Sequence, residues 1–79
     1  MKPYELIQWA RRQGFTEDRY GHMVLELGGR VTRLKITKIS ARWEIQASIS
    51  GKNEWLRQRS GYLSKLSITA DDKLSGLTR

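Results

Sequence analysis

Arg33, Lys35, Arg42 and Gln46 recur at alternate positions of two neighbouring stretches, and Lys52 stands in the loop that follows. Alternation sends every second side chain of a strand to the same face. If the two stretches pair, these side chains become cross-strand neighbours ~5 Å apart, and like charges at that spacing repel unless an anion intervenes. Phosphate is such an anion, because guanidinium groups bind it bidentately. Glu44 lies between Arg42 and Gln46 and supplies the alternative, an ordinary face neutralised by its own salt bridge. A second cluster is Trp55-Leu56-Arg57-Gln58-Arg59-Ser60-Gly61-Tyr62. Aromatics interleaved with arginine suit single-stranded nucleic acid, whose bases stack on rings and guanidinium planes. The alternative has Trp55 and Tyr62 pointing into a core, which leaves Arg57 and Arg59 as the exposed members. On a helix here, Lys52 and Arg57 would lie near its N-terminal end, where backbone N–H groups also favour phosphate.

His22 is the only histidine, hence the one side chain whose ordinary pKa suits proton transfer near neutrality. The residues Glu5-Leu6-Ile7, Gln13-Gly14-Phe15, Arg19 and Gly21-His22 resemble the HicA family of toxin ribonucleases. That family places a helix, then a glycine and an aromatic, then a catalytic histidine on the first strand of an α-β-β-β-α fold. The serine it carries between glycine and histidine is absent, and nothing after Arg30 matches. The resemblance implies a HicA-like ribonuclease toxin with His22 as general base; the other reading gives His22 a structural or contact role at a strand end. Asp71-Asp72 reads as a solvent-exposed pair beside Lys73, and no glycine-rich phosphate loop with a following Lys-Ser/Thr occurs.

These side chains need elements to hold them. Pro3 to Gln13 reads as a helix, with proline suited to the first turn and Leu6, Ile7 and Ala10 forming an apolar stripe flanked by Tyr4 and Trp9. Gly14 and Phe15 provide its stop. Thr16 to Gly21 reads as a polar connector. From His22 the period becomes two, with Met23, Leu25 and Leu27 opposite His22, Val24 and Glu26. Gly28-Gly29 signals a two-residue hairpin, since both positions accept positive φ. The return strand, 30–38, sets Leu34 and Ile36 against Arg33, Lys35 and Thr37. The next sets Ala41, Trp43, Ile45, Ala47 and Ile49 against Arg42, Glu44, Gln46 and Ser48, the pattern of an antiparallel meander wet on one side.

Beyond Asn53 the apolar residues Trp55, Leu56, Tyr62, Leu63 and Leu66 predict a helix from Glu54 to about Leu66, capped by Asn53. Two strands, Trp55 to Arg59 and Tyr62 to Ile68, hinged at Ser60-Gly61, form the alternative. The expected fold class is therefore α+β, a small α-β-β-β-α domain with a three-stranded antiparallel sheet. The alternative is an N-terminal helix plus a four- or five-stranded antiparallel sheet. Residues 1–69 are expected as the compact domain and 70–79 as a loosely ordered C-terminal tail, whose Leu74 and Leu77 either dock as a short edge segment or stay free.

Composition narrows the function. The chain has 79 residues, a net charge of +7, no cysteine and one histidine. Disulfides, thiolate metal sites and cysteine nucleophiles are excluded, as is a zinc site built from imidazole and thiolate, so no cofactor or metal is expected. No apolar run reaches the length of a membrane helix. Glu5 and Gln8 interrupt the apolar positions a signal peptide would need, so a cytoplasmic location without membrane contact is expected. The charge is localised: positions 30–65 hold nine basic residues against Glu44 and Glu54, and so carry the whole surplus. Concentrated charge costs self-repulsion and suits an anionic partner.

The prediction is a small non-enzymatic nucleic-acid-binding protein, with RNA slightly preferred over DNA. Arg33, Lys35, Arg42, Lys52, Arg57 and Arg59 would contact phosphate, and Trp55 would stack. The alternative is a small inhibitor or interaction protein whose basic face docks on an acidic protein surface or in the nucleic-acid channel of a larger complex. Either a monomer or a homodimer fits the sequence.

Overall fold

A computed structural model describes residues 1–77. Helix α1 (Pro3–Arg12) precedes a five-stranded antiparallel sheet in simple meander order, β1 (Thr16–Glu17), β2 (Met23–Leu27), β3 (Arg30–Thr37), β4 (Arg42–Ile49) and β5 (Leu56–Tyr62). A 3₁₀ turn (Leu63–Lys65) leads into a small hairpin of β6 (Ser67–Ile68) and β7 (Leu74–Ser75). The class is α+β as expected, in the five-stranded form given as the alternative rather than the three-stranded main form.

Local chemistry explains the helix ends. Pro3 occupies the first turn, and the Glu5 carboxylate accepts the Lys2 backbone N–H at 3.0 Å. At the other end the N–H of Phe15 donates to the Ala10 carbonyl and that of Gly14 to Arg11, the paired bonds of a Schellman stop. Leu6, Trp9 and Ala10 form the buried stripe, with Ile7 packed beside it. Gly28 and Gly29, at φ +59° and +78°, make the two-residue turn that pairs Leu27 with Arg30. Ala41, expected in the buried row of β4, instead lies in the preceding turn at φ +52°.

The expected second helix is not formed, and with it goes the α-β-β-β-α layout that the HicA resemblance implied. Residues 56–62 are a strand running straight through Ser60-Gly61. The reason is Trp43. It is 4% exposed, and a Cβ built on Gly61 would fall 3.0 Å from its Cζ2 atom. Glycine is there to let the indole lie against the backbone of β5, a use of strand glycine that helix propensity does not anticipate. The apolar residues that suggested a helix belong to three places. Trp55 and Tyr62 serve one face of the sheet, Leu56 the other, and Leu63 and Leu66 enter the core from the 3₁₀ turn.

The core lies on the helix side of the sheet, where Leu6, Trp9 and Ala10 meet Met23, Leu34, Trp43, Leu63 and Leu66. Leu74 and Leu77, in the segment expected as a loose tail, complete it at 0% and 5% exposure. Bonds from α1 also hold that segment down. The Trp9 indole N–H donates to the Asp72 carbonyl at 2.7 Å, and Arg12 Nε and Nη2 donate to the Asp72 carboxylate at 3.1 and 3.0 Å. Asp72 is therefore an anchor, and Arg12 holds its carboxyl below the usual range. Thr78 and Arg79, the end of the expected tail, lie outside the described residues. Thr16–Glu17, read as connector, adds a short edge strand by pairing with Val24 and Met23. Among the described residues no helix is long and apolar enough to cross a membrane.

Candidate nucleic-acid interface

The face of the sheet opposite α1 is organised by register into three rows across β3, β4 and β5. They run Arg33–Gln46–Arg57, Lys35–Glu44–Ser60 and Thr37–Arg42–Tyr62. Lys35 and Arg57 thus flank one carboxylate, Glu44, and Arg33 and Arg42 stand in the rows to either side of it. Lys35 Nζ stands 4.0 Å from one Glu44 oxygen and Arg57 Nη1 3.9 Å from the other, while Gln46 Nε2 donates to the carboxylate at 2.8 Å. One negative charge shared by two cations, with two more arginines in the neighbouring rows, leaves the centre of the face basic. Exposed ion pairs at such distances contribute little, so these cations stay available to another anion. Thr37, Arg42, Glu44, Arg57 and Ser60 surround a depression of about 100 Å³. Glu26 also lies on this face, at its hairpin end, where the Ser50 hydroxyl donates to it at 2.8 Å.

Arg57 reaches this face because of an irregularity in β5. Ile45 is paired with Arg59 and Gln46 with Arg57, so Gln58 is an extra residue in the ladder. Residues two apart in an unbroken strand share a face; the bulge sends Arg57 and Arg59 to opposite ones. Arg59 turns toward the core side. It donates through Nη1 to the Leu77 carbonyl and through Nη2 to that of Gly76 at 2.8 Å. The sequence cluster that grouped both arginines is split by this single residue.

Two of the face cations are stacked on aromatic rings. The Arg33 guanidinium lies 3.8 Å from the Trp55 ring centroid and that of Arg42 lies 4.4 Å from the Tyr62 centroid, both well inside cation–π range. Tyr62 is 54% exposed, and Trp55 is partly exposed. Tyr62 was not among the expected contacts; its alternation with Arg42 across a strand pair was hidden by the helical reading. Lys52 stands apart from the rows, beside the Gly28-Gly29 turn. It lines a cleft of about 380 Å³ with Arg30, Ile49, Glu54 and Leu56.

His22 precedes β2 at the margin of the basic face. Asp18 organises this turn, its Oδ1 accepting the backbone N–H groups of Tyr20 and His22 at 2.9 Å each. The imidazole Nδ1 is 3.8 Å from Asp18 Oδ2, beyond hydrogen-bond distance. Burial pushes the His22 pKa down, Asp18 opposes the shift, and Arg33 and Lys35 add to it. Burial would raise the Asp18 pKa, but the two backbone N–H groups, His22 and Arg33 outweigh it and hold that carboxyl low. Among the described residues no three His, Asp or Glu side chains gather into a metal-binding group.

No protein-family model, no curated protein and no solved structure matches the chain.

Proposed function

We propose that this chain is a small, non-enzymatic nucleic-acid-binding protein that contacts phosphates through the sheet face opposite α1, with RNA preferred over DNA. The observation that carries the reading is the grouping of Arg33, Lys35, Arg42 and Arg57 on three adjacent rows of one face, where Glu44 is the carboxylate that Lys35 and Arg57 share. Such a surface is costly in isolation and is relieved by a polyanion, which gains charge-assisted bonds and releases its counterions. Lys52 and Arg30, beside the hairpin, extend the positive field without belonging to the rows. Arg59 serves the fold rather than the ligand.

The test is binding of short labelled single-stranded RNA, duplex RNA and duplex DNA at two salt concentrations. The expected result is steeply salt-dependent binding, with each removed face cation lowering the salt slope by ~1. Charge reversal at Arg33 and Arg57 together should abolish it. Binding unchanged by that double reversal refutes the surface assignment. No binding of any form at low salt refutes the function and gives the face to an acidic protein surface.

A further inference from the structure

We infer that the preferred ligand of this face is an unpaired strand, whose bases stack on Trp55 and Tyr62 while its phosphates cross Lys35 and Arg57 between them. The inference rests on the nucleic-acid reading above and adds the form of the ligand. Each ring has one side occupied by a guanidinium, Trp55 by Arg33 and Tyr62 by Arg42. The cation fixes the ring's orientation in advance, which lowers the entropy cost of stacking a base on the part of the ring left exposed. Arg33 and Arg42 are anchored at opposite ends of the face, because Arg33 pairs with Gln46 and Arg42 lies four residues before Gln46 on β4. The rings are rooted farther apart, since Tyr62 pairs with Arg42 and Leu56, next to Trp55, pairs with Ala47 five residues on, about 16 Å at ~3.3 Å per residue.

A duplex does not use such a pair of platforms. Its bases rise ~3.4 Å per step, so that span covers about five stacked steps, all with both base faces covered by neighbours. Only unpaired, splayed bases expose a face to an aromatic ring. In the gap between the platforms lie the cations that share Glu44, together with Ser60 and the depression beside Arg42. Platform, cations, platform is the order that a base, its linking phosphates and a second base require. Rings accept any base, so the expected recognition tolerates sequence.

The protein reports directly on this contact. Trp9 and Trp43 are buried at 7% and 4% exposure, so Trp55 is the tryptophan within reach of a stacked base. A single-stranded 12-mer of uridine, the matching deoxy strand and a mixed-sequence RNA duplex of that length would be titrated while intrinsic fluorescence is followed. Both single strands should quench the emission and bind roughly tenfold or more tighter than the duplex. In Trp55→Phe the quench should vanish with most affinity kept. Trp55→Leu and Tyr62→Leu should each weaken single-strand binding roughly fivefold or more, leaving duplex binding unchanged. Circular dichroism of each variant separates lost stacking from lost fold. Equal affinity for duplex and single strands, without a quench, overturns this inference and leaves phosphate binding standing. Absence of binding to all three at low salt overturns both.

Discussion

Gly61 and Trp43 are locked together: a Cβ at position 61 would sit 3.0 to 3.1 Å from three atoms of the indole, itself only 4% exposed. Glycine to alanine in a strand ordinarily stabilises by ~0.4–1 kcal/mol through the unfolded state. Here the contact reverses the sign. Gly61→Ala should destabilise by about 1–3 kcal/mol, the cost of overpacking a filled site. A urea titration reads this directly; a neutral or stabilising result would mean that the indole can shift.

Arg57 and Arg59 give a matched pair, two residues apart and on opposite faces. Arg59→Ala removes, among other contacts, the guanidinium bonds to the Leu77 and Gly76 carbonyls and should cost about 1.5–3 kcal/mol per bond, with the affinity of the folded protein for nucleic acid kept. Arg57→Ala should leave stability within ~0.5 kcal/mol and lower the salt slope of binding. Parallel melts and binding curves check both. Interchanged phenotypes would show that the bulge at Gln58 has been misplaced.

If the face binds nucleic acid as proposed, Glu44 competes with it for Lys35 and Arg57. Glu44→Gln keeps the shape, ends both ion pairs and removes the one negative charge among the cations. If each exposed pair is worth ~0.2–1 kcal/mol, nucleic acid should bind between about two- and thirtyfold tighter at low salt. The gain should shrink at high salt. Weaker binding would assign Glu44 a direct contact, such as accepting a base amino group.

His22 makes stability and binding respond oppositely to mild acid. Asp18, Arg33 and Lys35 are the charged groups that act on it, and burial sets the downward direction. Its folded pKa lies below the unfolded value of ~6.5, so its contribution to stability is complete above that value. The contribution is lost as pH falls through the folded value. On the proposed reading, phosphates bound beside Arg33 would raise the imidazole pKa, so nucleic-acid affinity should increase over the same interval. His22→Gln should flatten both dependences. A variant whose binding still tightens in mild acid would locate the responsible group elsewhere.

Much of this arrangement is legible from residue types. Pro3 and Gly14 mark α1, Gly28-Gly29 fixes the hairpin, and two-residue alternation assigns Arg33, Lys35, Arg42 and Gln46 to one face. The second half of the chain is not legible in this way. In residues 54–66 the apolar side chains lie on two faces of a strand and in a 3₁₀ turn, and their summed spacing imitates a helix. Only the tertiary partner of Gly61 decides the matter, and Trp43 is distant in sequence. The bulge that separates Arg57 from Arg59 has no local sequence mark. The docking of Leu74 and Leu77 depends on a core whose other walls come from α1 and the sheet.

The bonds between Trp9, Arg12 and Asp72 also set an order of events in time. The helix leaves the ribosome before the sheet, and the carbonyl that receives its indole, with Leu74 and Leu77, comes more than sixty residues later. At ~5–20 residues per second, the apolar side of α1 waits roughly 3 to 13 seconds for its cover. The meander from β2 to β5 needs only neighbours in sequence and can assemble during that wait. Closure of the C-terminal segment onto the helix is then the long-range, late step. A released chain cut before Leu74 would keep every strand of the basic face while lacking Leu74 and Leu77 from its core.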